Sequence, residues 1–199
     1  MKFKKLMAAV TTGVLAVTSL SLSGLIGSAE VQELMNDTFE SGYGAWKGVG
    51  SSLSLSTEQA HNGGTSLYCY DRTANWGAPR CSLTGIVAAG QSYEISASAM
   101  YEGSGQQNMA IKMIYTDANG TDHYDQVAAA QATAGQWVEI KGNYTVPSGA
   151  TDMILYVEMP SANTDQTYYI DDVVIKGEKT EIQLDDKFES DFDNNSTQK

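Results

Sequence analysis

The chain has 199 residues, 24 acidic against 12 basic side chains, and a formal charge of −12. The length accommodates one domain of ordinary size with flanking segments. So acidic a surface repels nucleic-acid backbones and anionic membranes and suits a neutral ligand such as an uncharged polysaccharide.

The first 29 residues read as an export signal. Lys2, Lys4 and Lys5 precede an apolar run from Leu6 to Leu20, which continues through Leu22, Leu25 and Ile26 and closes on Gly27-Ser28-Ala29. This is the layout of a signal peptide cleaved before Glu30. The Thr, Ser and Gly in the run, and the lack of a following basic cluster, weigh against a membrane anchor. No Cys stands near the cleavage point, which weighs against a lipid anchor. Loss of three lysines and no acid takes the charge from −12 to −15. The expected location is extracellular.

The segment 30–177 reads as one all-β module. Tyr93, Ile95, Ala97, Ala99 and Tyr101 alternate with mostly polar residues, and so do Met109, Ile111, Met113 and Tyr115. The same period of two runs through Val138, Ile140, Tyr144 and Val146, then Met153, Leu155, Val157 and Met159, and a last run from Tyr168 to Ile175. Turn signals fall between them at Asn62-Gly63-Gly64, Asn119-Gly120, Ala134-Gly135 and Pro147-Ser148-Gly149, with Asp117–Gly120 as a hairpin. The one helix-compatible stretch is the Ala-rich Gln126–Ala134. Many short strands in about 140 residues imply a jelly-roll β-sandwich of two antiparallel sheets.

Cys69 and Cys81 lie symmetrically about Asn75. Export permits a disulfide if their strands pair across that loop, and two buried thiols give the same sequence pattern. From Glu178 to Lys199 the chain turns charged and polar, as in an acidic linker or the truncated start of a further module. The second reading draws on Asp186-Lys187-Phe188-Glu189-Ser190, which echoes Asp37-Thr38-Phe39-Glu40-Ser41.

The chemistry gathers in three places. On the run 152–159, Tyr156 and Glu158 share the face opposite the apolar one. An aromatic ring covers the C–H face of a sugar and a carboxylate accepts from its hydroxyls. Trp76 sits in the polar loop Asp71–Pro79, a candidate stacking platform, with Arg72 either bracing the site or pairing with an acid. Tyr124 follows the Asn119-Gly120 turn. His61 and His123 have no partners at transition-metal spacing and read as surface residues. Trp46, Trp137 and Tyr144 read as packing residues.

The order Phe39-Glu40-Ser41, Ala60–Leu67, Arg72-Thr73-Ala74-Asn75-Trp76, Leu155-Tyr156-Val157-Glu158 and Tyr169-Ile170-Asp171-Asp172-Val173 resembles the family-22 carbohydrate-binding modules, within the wider group of families 4 and 9. These are xylan-binding jelly rolls found beside family-10 xylanase domains. The resemblance covers about residues 35–176. It implies a cleft on one sheet in which Trp76, Tyr124, Tyr156 and Glu158 contact ligand, with Arg72 beside them. It also implies a structural calcium held by Glu40 and Asp172, with oxygens near Thr38 and Thr65 completing the set; such hard oxygen donors suit calcium. One departure stands out. The family often carries a Trp-x-x-Arg-Gly pattern, and here the segment is Trp46-Lys47-Gly48-Val49-Gly50, so Val49 takes the arginine's place.

The reading is therefore a non-catalytic module that binds xylan or a related β-glucan, as a monomer or as part of a multidomain enzyme. A small jelly-roll glycosidase is the alternative, and needs a second carboxylate facing Glu158. Glu94 and Glu139 are the candidates, without a motif behind them. In a separate alternative the chain is part of a secreted endo-1,4-β-xylanase whose catalytic domain lies outside this sequence. A cell-surface spacer is the third reading, and has no use for Trp76, Tyr156 and Glu158 on one face.

Overall fold

The computed structural model describes residues 30–178. The expected signal peptide at 1–29 and the segment 179–199, with its echo of the module's start, lie outside the described residues. Among the described residues the chain forms eleven strands and no helix. They are β1 (Val31–Asp37), β2 (Lys47–Val49), β3 (Ser52–Ser56), β4 (Ser66–Tyr70), β5 (Ala78–Ser82), β6 (Ser92–Glu102), β7 (Gln106–Thr116), β8 (Asp122–Thr133), β9 (Val138–Thr145), β10 (Thr151–Glu158) and β11 (Thr167–Glu178).

Two antiparallel sheets face each other, as the alternation predicts. The first runs β3-β4-β11-β6-β9, and the second runs β2-β5-β10-β7-β8. β11 is long enough to pair β4 along its first half and β1 along its second. The chain changes sheet at every connection except β3–β4 and β7–β8. The alternating apolar residues meet between the sheets: Leu67, Ile95, Ile111, Met113, Ile140, Leu155, Val157 and Ile175 are all buried in one core. Complete burial of a side chain such as Leu155 contributes roughly 1.5–3 kcal/mol.

Two local alternatives that the sequence left open are decided by the structure. Gln126–Ala134 is not helical: most of it belongs to β8, which pairs with β7 along its whole length. The small side chains there serve close packing. A Cβ added to Gly142 of β9 would lie 2.8 Å from the Val127 carbonyl oxygen and 3.0 Å from the Ala128 Cβ. Nor do Cys69 and Cys81 form a disulfide; both thiols are free and buried. The loop between them carries the chain from one sheet to the other instead of closing a hairpin, so β4 and β5 share no ladder. Burial, with a smaller effect from the Asp37 charge, pushes the Cys81 thiol up to about 11, which keeps it protonated and unreactive.

Candidate functional site

The site is built on β10, the middle strand of the five-stranded sheet. Met153, Leu155, Val157 and Met159 point into the core, so Ile154, Tyr156 and Glu158 face outward. Outward does not mean exposed, however: Tyr156 and Glu158 are each only 3% exposed. The flanking strands cover them. In register, Tyr156 stands between Arg80 of β5 and Lys112 of β7. The Arg80 guanidinium lies 5.2 Å from the centre of the Tyr156 ring. Lys112 Nζ is 2.6 Å from Glu158 Oε1, a close ion pair that lacks the angle of a directed hydrogen bond. From beneath, the Tyr168 hydroxyl of the opposite sheet donates to the Val157 carbonyl at 2.7 Å and holds β10 in place. Burial first, then the Glu158 charge, pushes the Tyr156 phenol up to about 12, so it remains a neutral donor.

Trp76 forms one flank of this floor and is 50% exposed. Its loop is held from within by Arg72. This residue is buried and donates to five main-chain carbonyls: Nε to Gly77 at 3.0 Å, Nη1 to Asn163 at 3.1 Å and Gln166 at 3.4 Å, and Nη2 to Asn75 at 2.6 Å and Met159 at 3.1 Å. Of the two readings of Arg72 as a residue of the site, bracing and pairing with an acid, the geometry matches the bracing. Its donors are spent, and its part is to brace the loop that presents Trp76. Gly50 completes the seat. Its φ is +62°, and a Cβ there would lie 2.6 Å from the indole ring.

Tyr124 forms the other flank. It is 60% exposed and pairs with Ile114 across β7 and β8. Three strand spacings separate β8 from β5, so the face between the two flanks spans β10 and β7. The β7–β8 hairpin that carries Tyr124 is locked by Asp117, whose Oδ1 accepts from the Asn119 and Thr121 amides at 2.8 and 2.9 Å. His123 adds a contact at 3.0 Å to Asp117 Oδ2 and stacks on Tyr115.

The structure thus gathers Trp76, Tyr124, Tyr156 and Glu158 on one face and leaves Arg72 beneath it. It adds Arg80 and Lys112, which sequence reasoning missed. Their signal was available in the alternation Ala78-Arg80-Ser82 and Ala110-Lys112-Ile114, but which strands flank β10 is a matter of topology. Val49 lies at the rim, opposite Ala78. Glu94 and Glu139 stand on β6 and β9 of the other sheet, so neither shares the face of Glu158. Trp46 is buried, with its indole N–H donating to Asp37 Oδ2 at 2.6 Å. Trp137 packs edge-on against His61, and the Tyr144 hydroxyl donates to Asp125 Oδ2 at 3.0 Å.

Glu40 and Asp172 grip one loop from two sides. Glu40 Oε1 accepts from the Gly64 and Thr65 amides at 2.9 and 2.8 Å. Asp172 Oδ2 lies 2.6 Å from both His61 Nδ1 and Asn62 Nδ2. The neighbouring Asp171, buried and therefore raised above the usual carboxylate range, takes the His61 amide at 2.9 Å. No group of three or more His, Cys, Asp or Glu side chains fit to hold a metal stands among the described residues. A calcium ion here fits only as a guest of two carboxylates and main-chain oxygens.

A β-sandwich with exposed aromatic flanks above a buried tyrosine–carboxylate floor is the architecture of a carbohydrate-binding module. A family profile described as "Carbohydrate binding domain" matches residues 32–166, and the chain belongs to that family, within it to the family 22 modules. It is similar to the C-terminal family 22 carbohydrate binding module of Clostridium thermocellum Xyn10B, with TM-score 0.68 and 32% identity over 75% of this chain and 97% of that one. It is also similar to the CBM22-1 xylan-binding domain from Paenibacillus barcinonensis Xyn10C, with TM-score 0.68 and 31% identity over 75% and 97% of the two chains. Among curated relatives, it is 36% identical over 156 residues to "Endo-1,4-beta-xylanase A" of Thermotoga neapolitana, covering 74% of this chain and 14% of that protein. With "Xylanase/beta-glucanase" of Ruminococcus flavefaciens it shares 32% identity over 154 residues, covering 75% of this chain and 19% of the relative. The chain therefore spans less than a fifth of the length of these curated relatives.

Proposed function

We propose that this chain is a non-catalytic module that binds xylan, and that it serves an exported xylan-degrading enzyme by holding it at plant cell-wall polysaccharide. The observation that carries this reading is the placement of exposed Trp76 and Tyr124 on either side of the buried Tyr156–Glu158 floor. A sugar chain laid across that face stacks on the flanks and meets hydrogen-bonding groups between them. The xylan-binding domain and the xylanases to which the chain is similar support the choice of polysaccharide. Glu158 is already paired with Lys112, and Asp122 stands away from it at the hairpin end of the face, bound to the Thr116 hydroxyl, so no opposed pair of acids of the kind hydrolysis needs is formed there. Each aromatic contact contributes around 0.5–1.5 kcal/mol beyond burial. After association costs this leaves modest affinity, adequate for a module that concentrates an enzyme at a surface. Export by the segment 1–29 is part of the same proposal.

Affinity gel electrophoresis in soluble xylan, mixed-linkage β-glucan and hydroxyethylcellulose tests the reading. Retardation in xylan that Trp76→Ala and Glu158→Ala abolish, in variants with native circular dichroism, is the expected result. Free migration of the wild-type chain in all three gels sinks it.

The proposal includes a structural calcium at Glu40 and Asp172, with main-chain oxygens of Thr38 and Thr65. It would tie the end of β1 to β11. Calcium at a hundred times its dissociation constant then stabilises the fold by about 2.7 kcal/mol. Melting curves with calcium and with chelator check this. The shift should vanish in Glu40→Gln, and an equal melting point under both conditions in the wild type counts against the site.

A further inference from the structure

The middle row of the binding face is cationic in a strongly acidic protein. Across the five-stranded sheet the register aligns Lys47, Arg80, Tyr156, Lys112 and Gln126. That row has three cations and no acid. The acids on the face are Glu158, taken up by Lys112, and Asp122 at the hairpin end, which accepts from the Thr116 hydroxyl at 2.8 Å. In the whole chain acids outnumber bases 24 to 12, so the bias of this row runs against the composition.

Arg80 is the centre of the row. Its guanidinium lies between two rings, 5.9 Å from Trp76 and 5.2 Å from Tyr156. Nε is buried and has no acceptor. Among the described residues the guanidinium has neither a hydrogen-bond acceptor nor an ion-pair partner, in contrast to Arg72 and its five carbonyls. The two rings flank the group, and the protein supplies no acceptor for its N–H donors. A planar fork in that state matches a carboxylate in two-point contact, and a neutral hydroxyl uses only part of it. Lys47, exposed and opposite Arg80 on the edge strand, extends the same charge toward the rim.

Resting on the polysaccharide-binding reading above, we infer that the face selects polysaccharide carrying carboxylate substituents, with Arg80 and Lys47 receiving a uronic acid branch. The net negative charge of the chain does not oppose this at close range. At physiological ionic strength its distant acids are screened beyond about 8 Å, whereas the row meets the branch in contact.

Calorimetric titration with a uronate-bearing xylan and with the same material after reduction of its carboxyl groups tests the inference. Binding about threefold to fivefold tighter to the uronate-bearing form is expected. Arg80→Gln should bring the ratio close to one, and Lys47→Gln should narrow it. Lys47 is on the surface of an edge strand, so that second variant reports even if Arg80→Gln disturbs the fold. Ionic strength near 1 M, where charges are screened within roughly 3 Å, should also narrow the ratio. Equal affinity for the two forms in the wild type overturns the inference while leaving xylan binding intact. Failure to bind either form overturns both.

Discussion

The outer faces of the two sheets carry similar residues and do different things with them. On the six-stranded sheet Tyr68 is stacked between Tyr70 at 5.2 Å and Tyr169 at 4.6 Å. Glu102 accepts from the Tyr169 and Thr167 hydroxyls at 3.2 and 3.1 Å, and Lys141 pairs with Glu94 at 2.8 Å. Aromatics and acids there satisfy one another. On the five-stranded sheet Trp76 and Tyr124 project into solvent, and Arg80 has no acceptor. An aromatic and a carboxylate on one strand are therefore weak indicators of a sugar site by themselves. What distinguishes the binding face is that its rings and donors are held in place and left unspent.

The largest effect expected from this comparison comes from beneath the open face. Arg72→Met removes the donors to five buried or half-buried carbonyls, and unpaired groups of this kind cost about 1–3 kcal/mol each. Relaxation of the loop recovers part of that, so a loss of about 3 kcal/mol or more in urea unfolding is expected, with binding lost through the displaced Trp76. A loss under about 1 kcal/mol would show that the loop keeps its shape without the brace. Next in size is a matched pair. Trp76→Ala should weaken xylan binding about tenfold with little change in stability, because the ring is half-exposed and serves the ligand. Tyr68→Ala should cost about 1–2 kcal/mol of stability and leave binding unchanged, because its ring serves its neighbours. Equal effects of the two substitutions on binding would erase the distinction between the faces. A smaller gain is expected from Val49→Arg. It restores a donor at the rim beside Ala78, and binding about threefold tighter is the outcome to look for by calorimetry.

How much of this was legible in the chain follows from what sets each feature. Period-two alternation records which side of a strand faces the core, so the sandwich and the outward placement of Tyr156 and Glu158 could be read directly. Their burial could not, because it depends on Arg80 and Lys112, 76 and 46 positions before Tyr156 and Glu158 in the sequence and made neighbours only by strand order. The same gap explains the cysteines. Their symmetry about Asn75 suggests a hairpin, and nothing local says that the loop changes sheets. Arg72 was legible only as one of two readings, a brace or the partner of an acid, for a related reason. A charged residue four positions from a loop Trp reads as part of the site, and only the carbonyls of the distant 159–166 segment reveal it as a strut. The alanines of β8 favour a helix on propensity alone, and pairing with β7 together with the close approach of Gly142 overrides that preference.

The smallest expected effect concerns the hairpin that holds Tyr124 at the far flank. The Thr121 amide first, then His123 and the Asn119 amide, hold the Asp117 carboxyl down from its ordinary value of 3.8 to about 2. A carboxylate depressed by folding contributes stability above its unfolded value and loses that contribution as pH falls through its folded one. The contribution of Asp117 should therefore be complete above pH 3.8 and should fade as pH approaches about 2. The group is on the surface, so the effect is small and screened by salt. Comparison of the wild type with Asp117→Asn across this range isolates it. The gap in melting temperature should be widest near neutral pH and close on acidification, and the variant should lose some xylan affinity at neutral pH as Tyr124 loses its fixed position. A gap that persists unchanged at pH 2 would mean that the turn is held by its backbone alone, with Gly120 at φ +80° sufficient to shape it. The carboxylate would then have no part in presenting Tyr124, and the rigidity of the open face would rest on the Arg72 side alone.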